Sequence, residues 1–454
     1  MRDLPGVSAR AIALVVVAAF LAGTGLILDE VVGPRGEARG APSAGPSGAL
    51  FCPHGGHPGW QGWVVVTNPG PLRVRVRLTQ FGTDGQRSAS TFTIGAQRQV
   101  YRQLLAEDPG DSAEIEYFGG WVGAATILAT GAPGGLAAQA CEQAAHRTWF
   151  VMDLPTSDGQ TSYLVVMNPF DEAAQFDVVL RTEEREVAAG PLTPYVLPAR
   201  HSVSIPLNDF LLLGPTEESL TAKVIQRTGR VVAGGIALSG ASIRAEAGIP
   251  AAGTQWVIPA AGDAGSRDLI VLNNGDARVD FSVVAEGSGT QRLVSGPEGF
   301  SLGPGQVKTF QPERAKDAGF LVASSNDRPL VAALRLAGIG GDAATLDGSA
   351  VTATRWLVLP ALPPSGGRSF VVVQNPGKAR VEVAFRLIGS GGVLPTQTGS
   401  RTIQPGRTIR IALPSQGSVS VVVTARGGTI VAAGASYSPD RAGYASTLGL
   451  PMKY

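Results

Sequence analysis

The chain has 454 residues, with 37 basic against 36 acidic side chains and a formal net charge of +1. That balance leaves no excess positive charge for a nucleic-acid binder, which needs a dense basic surface to displace counterions. With 60 Gly and 32 Pro, helices are disfavoured and short strands joined by turns are favoured, and the length suits several domains.

Ala11 to Leu28, AIALVVVAAFLAGTGLIL, is an uncharged run. At about 1.5 Å per residue it spans roughly 27 Å, close to a hydrocarbon core of ~30 Å. Arg2 and Arg10 precede it; Asp29 and Glu30 follow. Positive charge on that side predicts a cytoplasmic N-terminus and an exported remainder. A cleaved signal peptide has a shorter apolar region and a small-residue cleavage site, so residues 11–28 are expected to be an uncleaved single-pass anchor behind a cytoplasmic tail, 1–10. Residues 29–48, rich in Gly, Pro and Ser, are expected to form a flexible linker holding an extracellular ectodomain off the membrane.

The ectodomain repeats. A Val- or Leu-rich strand ending in Asn recurs as VVVTNPG (Val64–Gly70), LVVMNPF (Leu164–Phe170), LIVLNNG (Leu269–Gly275) and VVVQNPG (Val371–Gly377). The Asn residues stand at 68, 168, 273 and 375. A Trp strand opens the last three copies at Trp149, Trp256 and Trp356; the first has ALFCP, with Cys52, in its place. Gly95, Pro198, Pro304 and Pro405 keep the same phase, as does a last strand reading WVGAATIL, VVAGGIAL, LVAALRL and IVAAGAS. Several landmarks in register at one period mark a structural repeat. The boundaries are expected at 49–145, 146–252, 253–352 and 353–454. About seven strands per ~100 residues match an immunoglobulin-like sandwich. The predicted fold is therefore all-β, four tandem immunoglobulin-like β-sandwich repeats after one transmembrane helix. A β-propeller built from the same repeats, two blades per copy, is the alternative. The repeated Asn reads as a turn-former that bonds its own backbone.

Cys52 and Cys141 are the sole cysteines. Outside the cytoplasm such a pair closes, so a disulfide is expected to clip the first copy and to stand in for its absent Trp. Cys52-Pro-His54-Gly-Gly-His57 offers three local ligands where a structural zinc site uses four, so no metal is predicted. Trp60 and Trp63 are candidate ligand-binding residues, able to stack on sugar rings or else to cover the core where the opening Trp is missing. Arg73, Arg75 and Arg77 share one strand face, suited either to anionic polymer or lipid headgroups or to plain solvation. Four His, none in a catalytic motif, and no phosphate or dinucleotide loop give no catalytic residue and no cofactor. A cluster of two carboxylates in a deep pocket is the arrangement that would reopen an enzymatic reading.

The Trp strand, the strand ending in Asn-Pro, the Pro-Gly turn and the "VVA" strand together resemble an uncharacterised family of actinobacterial secreted or membrane-anchored β-repeat proteins. The resemblance covers most of residues 49–454. It implies a cell-envelope location and carries over no catalytic residue. The function expected is a structural or interaction module of the bacterial envelope, with an envelope protein or glycan as partner. The alternative is a glycan-binding accessory to wall or surface-polysaccharide assembly.

Overall fold

The computed structural model describes residues 46–454 apart from 132–133, 189, 261–264, 288, 290, 295–298, 313–317, 339, 396–398, 415–417, 439, 441 and 453–454. The expected tail, anchor and most of the linker lie outside the described residues. Among the described residues no helix is long and apolar enough to cross a membrane.

The protein is all-β. Strands β1 (Gly48–Cys52), β2 (Gln61–Asn68), β3 (Val74–Gly82), β4 (Gly85–Ile94), β5 (Arg98–Leu104), β6 (Ser112–Phe118), β7 (Gly123–Ala129) and β8 (Leu136–Ala140) form two antiparallel sheets. Their orders are β1-β6-β3-β4 and β5-β2-β7-β8. Corresponding pairs of sheets recur three more times, giving eight sheets among the described residues, none of them closed on itself. Copy one thus has eight strands where about seven were expected. The extra one is β8, LAAQA, whose alanines carry little strand propensity. The order also departs from the immunoglobulin sandwich, in which the first and last strands flank the second and sixth respectively. Here β1 pairs β6 and β7 pairs β2.

Each repeated Asn is buried and ties a turn to its own sheet. Asn273 is typical: its Nδ2 donates to the carbonyls of Ala277 (2.8 Å) and Gly303 (2.8 Å), and its Oδ1 accepts from Gly275 N (2.9 Å). Asn68, Asn168 and Asn375 do the same. Each opening Trp is likewise pinned: the indole N–H of Trp149, Trp256 and Trp356 donates to Val231, Leu330 and Ile430 O, at 2.9, 2.8 and 2.7 Å. Two of those indoles lie over glycines. A Cβ on Gly248 would come within 2.7 Å of Trp149, and one on Gly348 within 3.0 Å of Trp256. In copy one Leu50 takes the Trp position, facing Ile115 as Trp149 faces Val224. Cys141 takes that of the glycine and bonds Cys52. The disulfide replaces the Trp-on-Gly contact.

The copies do not stand apart. Val64, Val65 and Val66 are all fully buried, as are Leu269 to Leu272, so these strands are covered on both faces. Core residues of one copy pack into the next: Phe51 and Phe81 join Trp149 and Met167, while Val65 and Ile127 join Leu357, Leu359 and Val422 of the last copy. The counterparts of β8 are Ser242–Ala247, Ala343–Asp347 and Tyr444–Leu448. These four strands adjoin one another in cyclic order, the last lying against β8, so the copies close into a ring around one axis.

Candidate axial site

Small residues let the four axial strands approach: β8 is LAAQA, its counterparts SIRAEA, AATLD and YASTL. All four run the same way and start at Asp342. Its buried carboxylate accepts from Leu136 N (2.7 Å) of copy one, Ile243 N (3.3 Å) and the Ser242 hydroxyl of copy two, and Tyr444 N (3.0 Å) of copy four. One side chain therefore joins all four copies at the start of their axial strands.

Past the other end of these strands the axis widens into a cavity of about 350 Å³, walled by all four copies. Its wall is mostly apolar: Ala138, Ala140, Ala247, Ile249, Leu448 and Leu450, with Trp256 and Trp356. Exposed Gln143, Ala350 and Val351 border its mouth. Two carboxyls line it, Glu142 from copy one and Asp347 from copy three. Burial, reinforced by the Asp347 charge, pushes Glu142 up to about 8. Burial and the Asp153 charge push Asp347 up to about 7. Glu142 is held from behind: its backbone exchanges two 2.8 Å hydrogen bonds with Phe51, beside the Cys52–Cys141 bridge.

Behind Asp347 lies a buried ionic knot between copies two and three. Asp153 accepts from Arg244 (3.0 Å), from Arg335 Nε (2.8 Å) and from the Thr345 hydroxyl (2.7 Å), which also reaches Glu246 (2.9 Å). Burial works against the Asp153 charge, but the two guanidinium groups outweigh it and hold this carboxyl below its ordinary range. Glu246 goes the other way: burial and the Asp153 charge raise it well above the ordinary range. Both arginines are thus engaged by Asp153, and Arg335 also by Asp268 (3.4 Å).

The residues singled out from sequence lie elsewhere. Trp60 is half-buried against Ala106, Leu128 and Ile243, at the seam of copies one and two. Trp63 packs with Leu357 and Leu362 at the seam of copies one and four, so the two indoles face different seams and form no common platform. Arg73, Arg75 and Arg77 are exposed; Arg75 lies 5.6 Å over the Phe118 ring and Arg77 3.7 Å from Glu116. His54 is buried, its Nδ1 against Gly55 O, and burial lowers its pKa; His57 is exposed. Cys52 is consumed by the disulfide. Among the described residues no group of three or more His, Cys, Asp or Glu is placed to hold a metal ion.

Sequence reasoning missed Glu142, Asp347 and Asp342. The one signal available was positional: each flanks the short alanine-rich segment that follows the "VVA" strand in its copy.

A family model described as a family of unknown function, DUF5719, matches residues 112–363, more than half of the chain. No curated protein matches. Among solved structures, an α-L-rhamnosidase of Streptomyces avermitilis complexed with L-rhamnose aligns at 9% identity over 80% of this chain and 54% of that one, with a TM-score of 0.13. The chain spans about half the length of that enzyme, and a likeness this weak carries no argument.

Proposed function

The chain belongs to DUF5719, a family of unknown function, and we propose that it is a non-catalytic binding module of the bacterial cell envelope. In this reading it is anchored by residues 11–28 with its β-ring outside the membrane, and it holds a ligand in the axial cavity. Its fold reads as a propeller-like ring of eight sheets more readily than as a string of immunoglobulin sandwiches, because strands such as Val64–Val66 are buried on both faces.

The observation that carries the binding reading is the cavity itself, one concave apolar site with a few polar groups, to which all four copies contribute. The disulfide supports an oxidising, extracytoplasmic setting. The cavity's serines are engaged rather than poised for attack: Ser446 Oγ donates to Gly434 O (3.0 Å) and Ser349 Oγ to Val351 O (2.7 Å). Native mass spectrometry of the full chain after incubation with small molecules extracted from envelopes tests the reading. A retained mass that is lost when Ala247→Trp fills the cavity supports it. The absence of any retained mass, or retention by the filled variant, counts against it. A C-terminal tag protected from external protease in intact cells rejects the orientation.

A second reading is a glycoside hydrolase, motivated by the two carboxyls in one pocket. It is weaker because such a pair needs environments that push its two members apart, whereas Glu142 and Asp347 are both pushed up. Hydrolysis of chromogenic glycosides that disappears in both Glu142→Gln and Asp347→Asn would put it first. Glycan capture by Trp60 and Trp63 is weaker still, since the two rings face different seams.

A further inference from the structure

We propose that the axial cavity takes a small organic cation, an alkylammonium whose head sits between the Glu142 and Asp347 carboxyls and whose apolar body lies on the alanine, leucine and tryptophan wall. This rests on reading the cavity as a binding site and names its ligand class.

The unmet polar groups of the wall are oxygens. Gln139 donates its amide N–H to Pro53 O (2.9 Å), leaving its Oε1 without a partner. Thr447 Oγ1 is also unpartnered, and both side chains are 3% exposed. The Glu142 and Asp347 carboxyls face a wall whose lining includes no Lys, Arg or His. Buried oxygens without donors are costly, and a ligand that supplies N–H donors satisfies them. The neighbouring charges decide the sign. Arg244 and Arg335 are held by Asp153, while Asp153 and Glu246 flank Asp347 on the copy-two side. Among the described residues no Lys, Arg or His lines the cavity to offset its carboxyls, so ionising them favours a cationic guest and disfavours an anionic one. A metal ion is a poor fit, because the described residues contain no set of three ligands. The cavity volume of about 350 Å³ lies at the small end of ligand pockets, ~300–1,000 Å³, and the apolar wall suits a hydrocarbon chain.

Isothermal titration calorimetry of the full chain tests this with hexylamine and its neutral counterpart hexan-1-ol, at pH 6 and pH 9. An alkylamine keeps its proton at pH 9, having a pKa near that of Lys, ~10.4, while the two carboxyls lose theirs between those values. The expected result is hexylammonium binding that tightens at least about tenfold from pH 6 to pH 9, outcompetes hexanol about tenfold at pH 9, and weakens about tenfold in Glu142→Gln and in Asp347→Asn. Circular dichroism of both variants checks that the ring is intact; if one fails to fold, the other carries the test. Equal binding of hexanol overturns the cation and leaves the cavity a binding site. Absence of hexylamine binding at millimolar concentration, or binding indifferent to both substitutions, also overturns it, while the filled-cavity experiment decides the binding reading separately.

Discussion

Replacing Asp342 by Ala removes the one carboxylate that joins all four copies. Three backbone N–H groups from other copies lose their acceptor: Leu136 at 2.7 Å, Tyr444 at 3.0 Å and Ile243 at 3.3 Å. Each of these residues is 3% exposed or less, so water replaces the acceptor poorly. A buried unpaired donor costs about 1–3 kcal/mol. The Ser242 hydroxyl can turn to another partner. Burial also holds the Asp342 carboxyl above its ordinary range, so removing it relieves a desolvation cost that offsets part of the loss. The expected net destabilisation is about 3–5 kcal/mol. Asp342→Asn keeps one accepting oxygen and should cost roughly half as much. Urea unfolding followed by tryptophan fluorescence measures the loss. Hydrogen exchange at the Leu136 and Tyr444 amides locates it, because the contact between copies one and four should open first. A loss below about 1 kcal/mol, or unchanged exchange at both amides, would refute the idea that this carboxylate closes the ring.

Three further expectations follow from the same geometry. Glu142 and Asp347 bind protons more tightly folded than unfolded, at about 8 and about 7 against ordinary values near ~4, so stability should fall as pH rises from about 5 to about 8; Glu142→Gln should flatten that decline in a series of thermal melts, and an equally steep curve contradicts it. Cys52→Ser with Cys141→Ser opens a loop of 89 residues, for which chain entropy gives a loss of about 4–5 kcal/mol as an upper value; chemical denaturation should show it, and a change under about 1 kcal/mol would mean that Leu50 and its neighbours already hold copy one. Asn273→Ala strips a buried turn of its donors and acceptor and should cost about 2–4 kcal/mol, whereas Arg73→Ala on the exposed face should move stability by less than about 0.5 kcal/mol; equal effects would show that the repeated Asn is not structural.

Much of the scaffold was legible because its signals are local. The Asn at 68, 168, 273 and 375 announces a side chain that bonds its own turn, and the hydrogen bonds are the same in all four places. The lone cysteine pair announced its bridge. Uninterrupted runs such as Val64-Val65-Val66 carry the mark of strands buried on both faces, a hint of ring packing. The axial strand was not legible. Ala-rich LAAQA has weak strand propensity and no turn signature, and its composition makes sense only where four such strands crowd one axis. Trp60 and Trp63 left two readings open, because an aromatic that breaks the repeat looks the same in sequence whether it covers a seam or meets a ligand.

By itself the sequence determined what neighbours along the chain can settle: an all-β chain, a repeated Asn turn, a Trp strand with one exception, and a cysteine pair in the copy that makes the exception. Only the tertiary structure decided that copies one and four meet, that Asp342 gathers all four, and that Glu142 and Asp347 share one apolar cavity. The reason is distance along the chain. Glu142 and Asp347 belong to different copies, and nothing local to either records that ring closure sets them in one cavity, where burial is the first cause that raises each.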